Sequence, residues 1–509
     1  MHHKNYKKLF RKKIIVLFLG ILLLAGFLRV YKLGSQSFIA DEYIGINISY
    51  GYHKTGEWKY WDFNAGRLTD REYTRAKIYY WQVAQTFHFL EPTERNARLV
   101  SVLWGLAGIV AIFVVSFLIT GNIYISLISS ALLSISVSAL MFDRKLRMYS
   151  MFAPIYFLFS YAVYQFFESK CYPNFLRRIN YFSEKTNLNW HYLPLAILLG
   201  IVSLMTHLLA VNIVPTVLVY FVLMAVYLRK NPVKQKKYFW LLGISVLFII
   251  IVSQTNTFHG AANFFEIGKS NWKYFQKITL DYSYGLLAFT FFIPGCVYLV
   301  KKHKKIGVWT ILSFLVPLSM AILVWDRNAG HQYIYFTEPF KVIIIASGIY
   351  FAAKTISKKI FPNRRFVFGA LVIYFILLLF NFQFFVSDKS FYQHPKRWSY
   401  SNYRQAYQYF LKKKSSNEVI MMRTFMSYNI RESNSAVLSY GRSDKLTLEK
   451  IKKAQEQYDG IWLINTDGEF NIKGSAKKFI KENFELIETK YTNDKVRIWH
   501  WSKNNQYNL

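Results

Sequence analysis

Long apolar runs recur along most of the chain, separated by short polar segments, and many approach the roughly 20 residues that cross a bilayer. The clearest lie at 14–30, 123–141, 151–167, 208–228 and 334–353. Fainter runs complete the series at 97–119, 192–205, 238–253, 284–300, 306–325 and 366–386. The pattern predicts an α-helical polytopic membrane protein with about eleven transmembrane helices. It stops near residue 386, and the composition then changes. NEVIMMRT, GIWLINT and KVRIWHW read as strands, whereas YRQAYQYFLKKK and LEKIKKAQEQ carry the spacing of amphipathic helices. The expected organisation is a transmembrane domain over 1–386 and a small soluble α/β domain over 387–509. The first external loop, 31–96, is long, and its IADEYIGINISYGYHKTGEW segment reads as a helix near the membrane surface.

Charge orients this scheme. With Lys7, Lys8, Arg11, Lys12 and Lys13 inside, the basic loops around Arg178, Lys234, Lys302 and Lys358 all fall on the same side. The N-terminus is then cytoplasmic, and the first loop and the C-terminal domain are extracytoplasmic, at the cytoplasmic membrane of a cell. MHHKNYKKLFRKK and the run behind it read as an uncleaved first span, because no convincing small-residue cleavage site precedes Gly34. The formal net charge of +36 is accounted for by those inner loops, so no nucleic-acid partner is implied. Cys171 and Cys296, one in a basic loop and one in an apolar run, suggest neither a disulfide framework nor a metal knuckle.

One basic cluster breaks the rule. Arg144, Lys145 and Arg147, followed by Tyr149, fall in a short outer turn, MFDRKLRMYS. Such a turn either anchors lipid headgroups or binds an anion; the planar fork of arginine suits phosphate oxygens, and lysine adds a point charge. Asp41 and Glu42 emerge on the same side just after the first span, as a solvated helix end or as chemistry at the water–lipid boundary. Further outer candidates are His207, at a turn between spans, and Arg327, His331 and Tyr333 in WDRNAGHQYIYFTEP. Carboxylates facing cations suit an anionic lipid donor such as a lipid-linked phosphate sugar. A phosphate leaving group neutralised by cations needs little acid help, and one carboxylate suffices to take the proton of the attacking hydroxyl.

The ordered pieces Asp41–Glu42, Ala97-Arg98-Leu99-Val100-Ser101 with Gly105, Arg144-Lys145-Leu146-Arg147-Met148-Tyr149-Ser150 and a late aromatic helix with Pro339 resemble the GT-C membrane glycosyltransferases. The likeness is to the branch of protein O-mannosyltransferases and lipid A aminoarabinose transferases, and it spans roughly residues 10–390. It implies an inverting transferase that takes its sugar from a polyprenyl-phosphate donor and passes it to a protein, lipid or glycan acceptor. It implies Asp41 as the base or the acceptor-orienting carboxylate, and Arg144 and Arg147 on the donor phosphate with Tyr149 nearby; the reading of the residues adds Glu42 as support of Asp41, and Lys145 and Lys77 as further cations within reach of the phosphate. The family's metal-binding Glu is replaced by Arg75, so no cofactor is certain and a divalent metal is unsupported. Its late Arg-Tyr pair reads as Gln332–Tyr333, which shifts a donor contact to His331 or Arg327. Two other readings stay open: a flippase or transporter of lipid-linked glycan, and a polymerase or ligase of surface polysaccharide.

Overall fold

The structure, a computed structural model, describes residues 12–170, 177–254, 271–279, 281–325, 330–360, 362, 364–387, 402–441, 444–466, 471–487 and 496–504. The chain divides into two compact units, the first made of residues 1–31, 101–144 and 148–391 and the second of residues 32–100, 145–147 and 392–509. Residues 32–100 and the C-terminal residues thus belong to one unit.

The first unit is helical. Its described helices begin with α1 (Lys12–Val30). The second unit contributes α2 (Ala40–Thr55), the strands β1 (Lys59–Asp62) and β2 (Arg67–Glu72), and α3 (Lys77–Thr86). Then come α4 (Glu94–Thr120), α5 (Ile123–Ile135), α6 (Val137–Asp143) and α7 (Tyr149–Glu168). Helices α8 (Arg177–Thr186), α9 (Leu193–Thr206), α10 (Ile213–Tyr227), α11 (Pro232–Ser253) and α12 (Lys273–Ile278) follow, and the series closes with α13 (Leu287–Leu323), α14 (Glu338–Ile360), α15 (Arg365–Leu379) and α16 (Phe382–Ser387).

A helix stands wherever the apolar pattern predicts a span. Among the described residues, 5 helices are long and apolar enough to cross a membrane, or up to 7 if each bent pair counts as one span. The protein is therefore a multi-pass membrane protein. One bent pair is α5 with α6, turned by 60° at Ser136. The long α13 is really two arms. Lys304 at its middle has φ 39°, outside helical space, and Gly307 comes back against the Leu299 carbonyl. A straight helix would hold residues that far apart by about 12 Å. The two expected spans at 284–300 and 306–325 are these arms, and the basic residues between them form the bend.

The second unit is mixed. β1 and β2 form an antiparallel hairpin. After α17 (Tyr403–Lys413), five strands make one sheet: β3 (Glu418–Arg423), β4 (Ala436–Tyr440), β5 (Gly460–Thr466), β6 (Glu485–Ile487) and β7 (Val496–Ser502). Their order is β4-β3-β5-β7-β6, with β3 parallel to both neighbours and β7 antiparallel to both of its own. Helices α18 (Leu448–Gln457) and α19 (Gly474–Asn483) cover one face, packing Ile451, Ala454 and Ile480 on Val419, Met421, Ile461 and Leu463. On the central strands β3 and β5 the buried residues run consecutively, Val419–Met422 and Gly460–Ile464, as expected of strands covered on both faces. The three expected strands and two expected helices are all present. Short β4 and β6, and α19 between them, were not legible, because their apolar positions are too few to show a period.

Candidate functional site

The two adjacent acids sit in the first turn of α2, where free backbone N–H groups and the helix dipole favour carboxylates. Their surroundings differ sharply. Glu42 is fully buried with Arg98. Its Oε1 accepts from Arg98 Nε at 2.8 Å and from the Leu146 N–H at 2.7 Å. Its Oε2 accepts from Arg98 Nη2 at 2.9 Å and from the Ile39 N–H at 3.1 Å, a capping bond that closes the helix start. Arg98 also donates to the carbonyls of Leu33 at 3.0 Å, Gln36 at 2.9 Å and Ser37 at 3.2 Å. One ion pair therefore ties together the loop before α2, α2 itself, the start of α4 and the 145–147 turn. Burial pushes the Glu42 carboxyl up, but the Arg98 charge and these hydrogen bonds outweigh it and hold it below the ordinary carboxylate value.

Asp41 is the open member of the pair. Its side chain is 54% exposed, and Arg147 Nη2 lies 3.3 Å from its Oδ2. Arg147 is 14% exposed, and its Nη1 also lies 3.5 Å from the Asp41 carbonyl. The close seating of the turn depends on Gly45. A Cβ there would come 2.9 Å from the Tyr80 ring and 3.0 Å from Leu146 Cγ. Lys145 is half-buried beside Arg147. Burial pulls its ammonium down to about 8; Glu42 opposes that, and Arg98 and Arg147 add to it. Lys77 opens α3, exposed, with its ammonium 5.6 Å from the Trp58 ring centroid. Asp41, Lys145 and Arg147 are thus brought together around one helix start.

In the helical unit four more sequence candidates share an aromatic cluster. The Tyr149 ring lies 5.2 Å from His207 and 6.4 Å from Tyr333, and Phe142 lies 5.8 Å from Tyr149 and 5.7 Å from His331. Arg144 has another place. It is fully buried, donating through Nη1 to the Leu28 carbonyl and through Nη2 to the Tyr31 carbonyl at 2.8 Å, so it caps the end of α1. Its neighbour Asp143 accepts from Arg29 Nε at 2.9 Å and from the Tyr335 hydroxyl at 3.1 Å. Arg327, with Asp326 and Cys171, lies outside the described residues.

Sequence reasoning missed Arg29 and a buried charge cluster at the α5–α6 break. Lys341 Nζ lies 2.5 Å from Asp281 Oδ2 and 2.7 Å from Glu338 Oε2. Ser136 Oγ donates to Glu338 at 3.0 Å, the Ser138 N–H donates to Asp281 at 2.7 Å, and Ser138 Oγ meets His331 Nε2 at 2.5 Å. The available signal was Glu338 and Lys341, three apart on one helix face, inside an otherwise apolar run. Among the described residues no three His, Cys, Asp or Glu side chains converge as a metal site, and Asp41 already has a guanidinium at its side.

No family model and no curated protein matches the sequence. Solved structures match along nearly its whole length. ArnT from Cupriavidus metallidurans, crystallised with undecaprenyl phosphate, is similar with a TM-score of 0.55 at 12% identity, covering 96% of this chain and 97% of that one. The oligosaccharyltransferase from Archaeoglobus fulgidus tethered with an acceptor peptide is similar with a TM-score of 0.56 at 8% identity, covering 98% and 75%. The archaeal oligosaccharyltransferase AglB from the same organism, in complex with an inhibitory peptide and a dolichol-phosphate, gives 0.52 at 9%, covering 99% and 75%. At these identities the likeness shows a shared fold, the one that the sequence resemblance leads one to expect.

Proposed function

We propose that this chain is a membrane glycosyltransferase that moves a sugar from a polyprenyl-phosphate donor to an acceptor on the outer face of the cytoplasmic membrane, with inversion at the anomeric carbon. The donor class is supported by the shared fold with one protein bound to undecaprenyl phosphate and another bound to dolichol-phosphate. The observation that carries the reading is the division of labour between two neighbouring acids. An exposed ion pair is worth about 0–1 kcal/mol, whereas removing one partner of a buried pair costs about 3–5 kcal/mol. Asp41 is 54% exposed and can exchange Arg147 for other partners cheaply; Glu42, at 0%, cannot leave Arg98.

Asp41 is the base in this reading. Its carboxylate takes the proton of the acceptor as the acceptor oxygen or nitrogen attacks the anomeric carbon opposite the phosphate. The carbon–oxygen bond to phosphate breaks, the phosphate leaves with the electron pair, and polyprenyl phosphate is released. Arg147, Lys145 and Lys77 supply the positive charge that stabilises that leaving group. Glu42 holds the helix start and the turn, and Arg144 caps the end of α1. Tyr149, His207, Arg327, His331 and Tyr333 are candidates for the remaining donor contacts.

The test uses the purified protein in membranes with a panel of polyprenyl-phosphate hexoses and pentoses, following release of polyprenyl phosphate. Asp41→Asn is expected to cut turnover by about 10²–10⁴-fold, the usual contribution of a general base. Release of polyprenyl phosphate by the Asn variant at the parental rate contradicts the assignment.

A further inference from the structure

Successive side chains on a helix point about 100° apart, so Tyr43 and Asn47 stand one turn from each other and on the side of α2 away from Asp41. Both meet one short segment, the helical turn Thr424–Ile430 that follows β3. The buried Tyr43 hydroxyl donates to Asn429 Oδ1 at 2.9 Å, and Asn47 Nδ2 donates to the Phe425 carbonyl at 3.0 Å. Tyr428 of the same turn sets its ring 5.0 Å from Phe38 and 5.2 Å from Phe63, and its hydroxyl donates to the Pro92 carbonyl at 3.0 Å. The Phe63 N–H donates to Ser427 Oγ at 3.1 Å. From α17, Arg404 donates to the carbonyls of Gly34 and Ser35 at 3.2 Å and 2.8 Å, on the stretch that leads into α2. Glu42 ties down the start of the helix, Gly45 meets Tyr80 and Leu146, and the Thr424–Ile430 turn backs the far side. Asp41 is left on the open side.

We infer that the Thr424–Ile430 turn is a positioning element of the reaction, and that Asn429, through the Tyr43 hydroxyl, sets where α2 presents Asp41. The inference rests on the reading of Asp41 as base. Loss of the Asn429 oxygen leaves a buried hydroxyl without its acceptor, which the helix relieves by shifting or turning. Displacement of a reacting group by about 1 Å costs roughly 10²-fold in rate, so a fraction of that shift is measurable. The C-terminal residues then take part in setting the geometry of catalysis.

The test compares full-length Asn429→Leu, Asn429→Asp and Tyr43→Phe with Asp41→Asn. Turnover of a polyprenyl-phosphate sugar and binding of undecaprenyl phosphate are both measured. Asn429→Leu is the same size but cannot accept, whereas Asn429→Asp still can. The expected result is a fall in kcat of about 10-fold for Asn429→Leu and for Tyr43→Phe, with undecaprenyl phosphate affinity within about twofold of the parent. Asn429→Asp restores kcat, and the Tyr43→Phe/Asn429→Leu double variant is no slower than either single one. Parental kcat in Asn429→Leu, with Asp41→Asn inactive, overturns the positioning role alone. A fall in kcat matched by an equal loss of folded protein, and shared by Asn429→Asp, overturns it as well. Parental turnover in Asp41→Asn instead overturns the reading beneath it.

Discussion

Glu42→Gln separates the two acids most clearly. The amide keeps the shape of the carboxylate and can still accept from the Leu146 N–H, now 2.7 Å away. It cannot balance the Arg98 charge, which stays fully buried against the carbonyls of Leu33, Gln36 and Ser37. Leaving a buried charge unpaired costs about 3–5 kcal/mol, a large share of the roughly 5–15 kcal/mol that holds a typical domain folded. The assay is thermal unfolding of the purified protein in detergent, alongside turnover measured at a temperature where the variant is still folded. Glu42→Gln should unfold far below the parent, while Asp41→Asn should change stability by less than about 1 kcal/mol. The difference between Glu42→Gln and the parent should also depend on pH. The native Glu42 carboxyl titrates below its ordinary value of 4.5, so its contribution is complete above that value and disappears as pH falls through the lower native one. A Glu42→Gln protein as stable as the parent at pH 7, with turnover lost, would refute the assignment of Glu42 as the structural acid.

Arg147→Gln should leave stability within about 1 kcal/mol of the parent, because its pair with Asp41 is partly exposed, yet weaken undecaprenyl phosphate binding measured by titration calorimetry. Unchanged binding would remove Arg147 from the donor site. Lys145 loses its charge as pH rises through about 8, so undecaprenyl phosphate affinity should fall between pH 7 and 9, and Lys145→Ala should flatten that fall. Stability should move the other way over pH 8 to 10.5, since the unfolded chain keeps the lysine proton that the folded one releases.

The helical architecture was legible because a bilayer demands long apolar runs. A helix over the segment that carries Asp41 was legible too, although its stop at Gly56, whose φ of 76° suits glycine, falls short of the expected segment. Pairing was not. Glu42 and Arg98 are 56 positions apart and Glu42 and Leu146 are 104 apart, so nothing local reveals that one acid is locked and its neighbour is free. For the same reason MFDRKLRMYS looked like a uniform cationic turn. In the folded protein Arg144 caps the end of α1, while Arg147 reaches Asp41. The joining of residues 32–100 to the C-terminal residues was equally hidden, because it rests on contacts such as Tyr43 to Asn429, 386 positions apart.

The central claim is that Asp41 carries the chemistry without being needed to bind the lipid. Single-turnover sugar release from a polyprenyl-phosphate donor, measured beside undecaprenyl phosphate affinity in the same Asp41→Asn preparation, tests it directly. The expected result is release slowed by about 10²-fold or more with affinity retained. Release at the parental rate, or an affinity lost in step with the rate, would contradict it.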